Sequence, residues 1–116
     1  MLWTVNPASP TPLFEQLAAL VRRAIADGKL AKGEKLPSAK ELAASLEINL
    51  HTVLRAYQSL RDEGLIELRR GRGAVVIAED PGLVNLHLMA DELLAEAGRL
   101  GLAHEHLVEI LEGRRA

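Results

Sequence analysis

Apolar residues recur at three- and four-residue spacing in several windows of the chain, broken once by a short stretch of alternating character. In the first window Leu13, Leu17, Leu20, Val21, Ala24 and Ile25 form a helical stripe with Phe14 beside it. Thr11 followed by Pro12 predicts the start of that helix. A hydroxyl there can cap the first turn, and proline costs nothing at a position whose N–H has no partner. Gly28 predicts its end. In the second window Leu42, Ala43 and Leu46 share one face of a short helix, with Ser38 as N-cap and Glu41 completing a capping box. The pattern stops at Glu47-Ile48, and Asn49 caps a third helix over residues 50–63. Its buried stripe is Val53, Ala56, Tyr57 and Leu60, and its opposite face carries His51, Thr52, Arg55 and Ser59. Two such helices joined by a tight turn match the helix-turn-helix pattern, whose second helix enters a DNA major groove.

The period then changes. After Gly64, Leu65–Leu68 and Ala74–Ile77 read as two strands, with Arg69, Arg70, Gly71, Arg72 and Gly73 at the hairpin tip. A hairpin directly after a helix-turn-helix is a wing. Residues 79–82 read as a linker. A helix follows over about 83–100, with Leu86, Ala90, Leu93, Leu94, Ala97 and Leu100 as its apolar face. Gly101 breaks it, and a short helix over about 103–111 presents Leu107, Val108, Ile110 and Leu111. A tail this small cannot bury a core alone, so it is expected to pack on the winged helix or on a second copy.

The expected fold is therefore mainly α (α+β). A winged helix-turn-helix occupies residues 1–80 with an arm at 1–10, and a two-helix dimerisation hairpin occupies 81–116. The arm, strand-like at Leu2–Val5, ends in the turn formers Asn6, Pro7, Ser9 and Pro10, and Trp3 is expected to be at least partly buried.

Composition narrows the picture in a few places. At 116 residues the chain suits one domain, or one with a small appendage. Aromatics make up 3%, so the core must be aliphatic. The absence of cysteine excludes disulfides and thiolate metal sites and fits a reducing compartment. No apolar run approaches the roughly 20 residues that span a bilayer. The opening MLWTVNPASP lacks the basic start and apolar stretch of a signal peptide, so a cytoplasmic protein without a membrane partner is expected. The net charge of −2 does not by itself suggest a nucleic-acid binder. Its distribution changes that reading. Residues 1–80 hold 11 Lys/Arg against 10 Asp/Glu, and residues 81–116 hold 3 against 6. Three arginines without an acid stand at the wing tip.

The candidate chemistry follows from these positions. Arg55 can grip a guanine edge with two hydrogen bonds, and can equally lie on a solvated face bonded to Ser59 or Asp62. His51 and Thr52 occupy the first turn of the third helix, where base edges are reached, although Thr52 is better suited to phosphate. Lys40 and Ser38 suit phosphate contacts that set register. Guanidinium groups at a hairpin tip repel one another unless something negative lies beneath them, and a minor groove supplies it. Arg70 and Arg72 are favoured over Arg69 for that contact. His87 and Asp91, four apart, and His104 and His106 near a helix start read as exposed polar residues of an acidic tail, not as metal ligands. No catalytic motif is present and no cofactor is implied.

The run from Pro12 to Val76 resembles the DNA-binding domain of the GntR family of bacterial transcription regulators. The resemblance rests on PLFEQLAALVRRAIADGKLAKGEKLPSAKELA and INLHTVLRAYQSLRDEGLIELRRGRGAVV, and within them on LPS-x-K-ELA, TV-x-RAY-x-x-L and the G-R-G wing. The short tail resembles the YtrA subfamily, whose members dimerise through C-terminal helices and commonly repress transporter operons. The resemblance implies DNA contacts from Ser38, Lys40, Leu50, His51, Thr52, Arg55, Arg70, Gly71 and Arg72. Lys40 stands where the family usually has Arg. Leu50 and His51 depart from the usual Pro or Arg and Asn, which bears on the operator sequence and not on the general function.

The expectation is a homodimeric repressor, not an enzyme, that reads a pseudo-palindromic double-stranded operator. Leu86, Ala90, Leu93, Leu94, Ala97, Leu100, Leu107, Ile110 and Leu111 would supply the dimer contact. The small tail leaves little room for a closed ligand pocket, so a small-molecule effector would have to sit at that interface, where no residue marks a site. The alternative from another class is a winged-helix assembly module that docks a protein through helix 50–63.

Overall fold

The computed structural model describes residues 3–70 and 73–115. The elements run α1 (Leu13–Ala26), α2 (Ala39–Leu46), α3 (Leu50–Asp62), β1 (Ile66–Arg69), β2 (Gly73–Val76), α4 (Pro81–Arg99) and α5 (His104–Glu112). They divide into two compact units, Met1–Asn85 and Leu86–Ala116. The first is a winged helix-turn-helix, three helices followed by a two-stranded hairpin.

Its core is aliphatic. Leu17, Val21 and Ile25 of α1 meet Val53, Ala56, Tyr57 and Leu60 of α3, with Leu42 and Ala43 from α2 and Ile66, Ala74 and Val76 from the hairpin. All four residues of the expected α3 stripe are buried. Trp3 and Phe14 are half-buried against the same cluster.

Helix starts are set by side chains close in sequence. Ser38 Oγ accepts the Glu41 N–H at 3.1 Å, and Asn49 Oδ1 accepts the His51 N–H at 2.8 Å. Only half of the expected capping box forms, since the Ser38 N–H does not donate to the Glu41 carboxylate among the described residues. The start of α1 differs from expectation. Pro12, not Thr11, precedes the first helical residue, without a side-chain cap. Gln16 ties the arm to the helix instead. Its amide accepts the Asn6 N–H at 2.8 Å and donates to the Asn6 and Thr11 carbonyls at 3.0 and 2.8 Å. That lacing holds the arm as irregular chain, and residues 3–5 are not a strand as expected. Leu2 lies outside the described residues.

Helix ends follow one design. Gly28 and Gly64 adopt positive φ, which lets the following N–H turn back onto the helix: Lys29 to Ala24 at 2.8 Å and Leu65 to Leu60 at 3.0 Å. The turn between α2 and α3 repeats this geometry at Glu47 (φ 56°), where the Ile48 N–H reaches the Ala43 carbonyl at 3.0 Å. A side chain in that region is strained.

The wing pairs Ile66 with Val76, Glu67 with Val75, Leu68 with Ala74 and Arg69 with Gly73. Both strands sit one residue nearer the tip than expected. Leu65 is drawn out of the ladder because its N–H ends α3 while its carbonyl accepts from Ile77 and Ala78. The segment before α2 also joins the sheet. Lys35 bridges Val75, the Leu36 N–H donates to the Ala74 carbonyl, and the Val76 N–H donates to Glu34. The base of the wing is thus clamped from both sides.

The helix expected from about residue 83 begins at Pro81, so residues 79–82 are not a free linker. The Asp80 carboxylate accepts the Gly82 and Leu83 N–H groups at 2.9 and 3.3 Å, and Val84 joins the core of the first unit. In the second unit α4 ends at Arg99, Gly101 takes a positive φ, the Leu102 N–H donates to the Ala97 carbonyl at 2.9 Å, and α5 follows. Ala97 and Leu107 are buried there. Leu86, Leu93, Leu94, Leu100, Ile110 and Leu111 are 44–61% exposed.

Candidate nucleic-acid interface

Helix α3 carries the site because its two faces are chemically separate. The apolar stripe fixes it in the core, and Tyr57 locks its position relative to α2. The Tyr57 hydroxyl, on a residue 2% exposed, donates to the Pro37 carbonyl at 2.6 Å, immediately before the Ser38 cap. Burial, and then the negative charge of Glu41, push the phenol well above the ordinary tyrosine range, so it remains a donor. At the other end, Glu63 takes the Arg22 guanidinium of α1 in a two-pronged contact, Nε to Oε1 at 2.8 Å.

His51 and Arg55 stand exposed on the outer face, with Thr52 half-buried between them. Arg55 bonds neither Ser59 nor Asp62. Its guanidinium lies over the Phe14 ring, 3.8 Å from the centroid. Asp62 instead takes Arg61, at 3.5 Å. Pro12, Leu13, Phe14, His51, Thr52 and Arg55 line one shallow groove between the start of α1 and the first turns of α3. A second groove runs from α2 and α3 to the wing, lined by Ala39, Leu54, Tyr57, Leu68, Arg69, Arg70, Gly73 and Ala74.

The remaining expected residues divide clearly. Lys40 is exposed on α2, and Arg70 is exposed beyond β1. Ser38 has its hydroxyl committed to the α2 cap, and Leu50 is half-buried against the core. Gly71 and Arg72 lie outside the described residues. Arg69 is paired with Glu67 at 3.3 Å, which explains in charge terms why Arg70 is the better free cation. Arg22, Arg61, Arg69 and Arg99 each hold a carboxylate. Lys40, Arg55 and Arg70 hold none among the described residues. Phe14 is the residue that the sequence reading did not single out. Its signal was being the only phenylalanine of an aromatic-poor chain, beside the apolar stripe and not within it.

No group of three or more His, Asp or Glu that could hold a metal occurs among the described residues, and no helix there is long and apolar enough to cross a membrane.

A helix-turn-helix with a wing, an exposed polar face on its second helix and cations without carboxylates defines the class of winged-helix nucleic-acid binders. Comparison with known proteins makes the class specific. Residues 13–76 match the model of the bacterial regulatory proteins of the gntR family. The chain belongs to the GntR family, which consists of transcription regulators and not enzymes. It is 40% identical over 72 residues to the HTH-type transcriptional repressor YtrA of Bacillus subtilis (strain 168), covering 62% of this chain and 55% of that protein. Among solved structures it is similar to YtrA from Sulfolobus acidocaldarius, a GntR-family transcription factor. There the TM-score is 0.62 and the identity 38%, over 79% of this chain and 96% of that one. It is also similar to the DNA-binding domain of AraR in complex with operator ORX1, with a TM-score of 0.57 and 26% identity over 64% of this chain and 92% of that one.

Proposed function

We propose that this GntR-family protein is a homodimeric repressor that binds a pseudo-palindromic operator, with one α3 in the major groove of each half-site and the wing on the adjacent minor groove. The observation that carries the reading is Arg55. It stands exposed on the outer face of α3, and none of its N–H groups is bonded among the described residues. Free N–H donors in a fork match the O6/N7 edge of guanine. His51 and Thr52 lie in the same groove, in the first turn, where base edges and phosphates are reached. Lys40 and Arg70 add phosphate and minor-groove contacts, and Gly71 and Arg72, next in sequence to Arg70, are assigned to the same contact. Ser38 acts mainly by fixing α2, and Leu50 by holding the start of α3 against the core.

Repression is supported by the Bacillus subtilis relative, itself named a repressor, and operator binding by the AraR domain solved on its operator. Dimerisation is supported by the second unit. Leu86 (58% exposed), Leu93, Leu94, Leu100, Ile110 and Leu111 leave an apolar surface that water does not favour, and Ala90 is also exposed. A twofold mate covers such a surface with its own copy of the same residues. Ala97 and Leu107, buried within the chain, contribute packing beneath it. An effector would act by favouring a dimer with the wrong half-site spacing, and no residue marks its site.

The test is selection of duplexes from a randomised pool by the full chain, followed by sedimentation. The reading expects a two-half-site sequence, a dimer at micromolar concentration, and loss of both two-site binding and the dimer in Leu93→Glu. A monomer that selects no sequence would overturn it.

A further inference from the structure

We propose that Phe14 is a positioning residue for Arg55: its ring holds the guanidinium by the face and leaves the N–H edge free to read a base. The proposal rests on the reading of Arg55 as the base-contacting residue.

The geometry separates two properties of the arginine side chain. A guanidinium attracts an aromatic ring through its face, whereas its five N–H donors lie in its plane. Arg55 is over the Phe14 ring at 3.8 Å, and none of its N–H groups is engaged among the described residues. The contact therefore consumes no hydrogen-bonding capacity. The platform is itself fixed, because Phe14 is half-buried against the core through α1. A free arginine on an exposed helix face samples many rotamers and must give them up on binding. One already held near its bound geometry gives up fewer. His51 and Thr52 line the same groove, so ring, fork and first-turn polar groups form one surface from two helices. A lysine would not serve, since its ammonium lacks the planar face and fork that divide the two tasks.

The experiment is a double-mutant cycle on the full chain, with the duplex selected by that chain and a random-sequence duplex of equal length, read by fluorescence anisotropy at fixed salt. Phe14→Leu keeps apolar packing and removes the ring, Phe14→Tyr keeps the ring, and thermal melts confirm that each variant is folded. Phe14→Leu is expected to lose about 2- to 5-fold in affinity for the selected duplex, the range of an exposed cation–π contact, with no change on the random duplex. Phe14→Tyr is expected to restore affinity, and the loss should vanish in the Arg55→Ala background. Wild-type affinity in Phe14→Leu, with Arg55→Ala still impaired, would overturn the proposal and leave the DNA-binding reading standing. An equal loss on both duplexes, or a loss persisting without Arg55, would overturn it by showing that Phe14 acts through the fold. An Arg55→Ala protein as selective as wild type would overturn both.

Discussion

Tyr57→Phe removes one oxygen from the centre of the helix-turn-helix and leaves its shape intact. The lost hydrogen bond, 2.6 Å to the Pro37 carbonyl, joins the reading helix to the residue before the α2 cap. A bond of this kind contributes about 0.5–1.5 kcal/mol net, and more when the abandoned acceptor is shielded from water. Pro37 is half-buried, so part of its solvation is recovered and the upper end of that range applies. The expected cost is about 1.5 kcal/mol. For a unit of this size that lowers Tm by roughly 6–12 °C. Urea unfolding followed by circular dichroism should show a lower midpoint with an unchanged slope, because the surface exposed on unfolding barely changes. The sign of the pH dependence also follows. A phenol pushed above its ordinary range stays protonated from acid to mildly alkaline pH, so the stability difference should be flat between about pH 6 and 9. A difference below about 0.3 kcal/mol, or one that changes across that interval, would refute the role given to this hydroxyl.

Leu60→Ala empties a fully buried position between α1, α3 and the hairpin and should cost about 2–5 kcal/mol by denaturation. Asn49→Ala removes the acceptor of the His51 N–H, and a loss of about 1 kcal/mol with faster amide exchange in the first turn of α3 is expected. Glu47→Gly relieves the left-handed residue in the turn between α2 and α3 and should stabilise by about 0.5–1 kcal/mol in the same unfolding assay. Arg70→Ala should weaken binding to all duplexes alike and reduce the salt slope by about 1.

The parts of this structure that depend on neighbours in sequence were legible before it was seen. The stripe Val53, Ala56, Tyr57 and Leu60 follows from helical periodicity alone, and the Ser38 and Asn49 caps follow from side chains that reach only two or three residues onward. Features set by distant pairing were not. Nothing around Lys35 announces that it bridges Val75, because that pairing is decided by where β2 comes to lie. Thr11 has the chemistry of a cap in its own context, but Pro12 holds the cap position and the Thr11 carbonyl is taken by the Gln16 amide from within the helix. Asp80 and Pro81 carry turn and helix-start chemistry at once, and only the burial of Val84 decides that a helix begins there. The site shows the same division. Arg55 could be placed on the outer face of α3 from spacing, but its partner comes from α1 and displaces the local candidates Ser59 and Asp62.

The central claim is that α3 and its cations read a DNA sequence. The most direct measurement is the affinity of the full chain for its selected duplex and for excess random DNA, titrated across salt. The account predicts nanomolar binding to the selected duplex, a preference of about 10³-fold or more, and a steep fall with salt that reports several phosphate contacts. Equal weak affinity for every duplex, or no binding at low salt by an intact dimer, would contradict it.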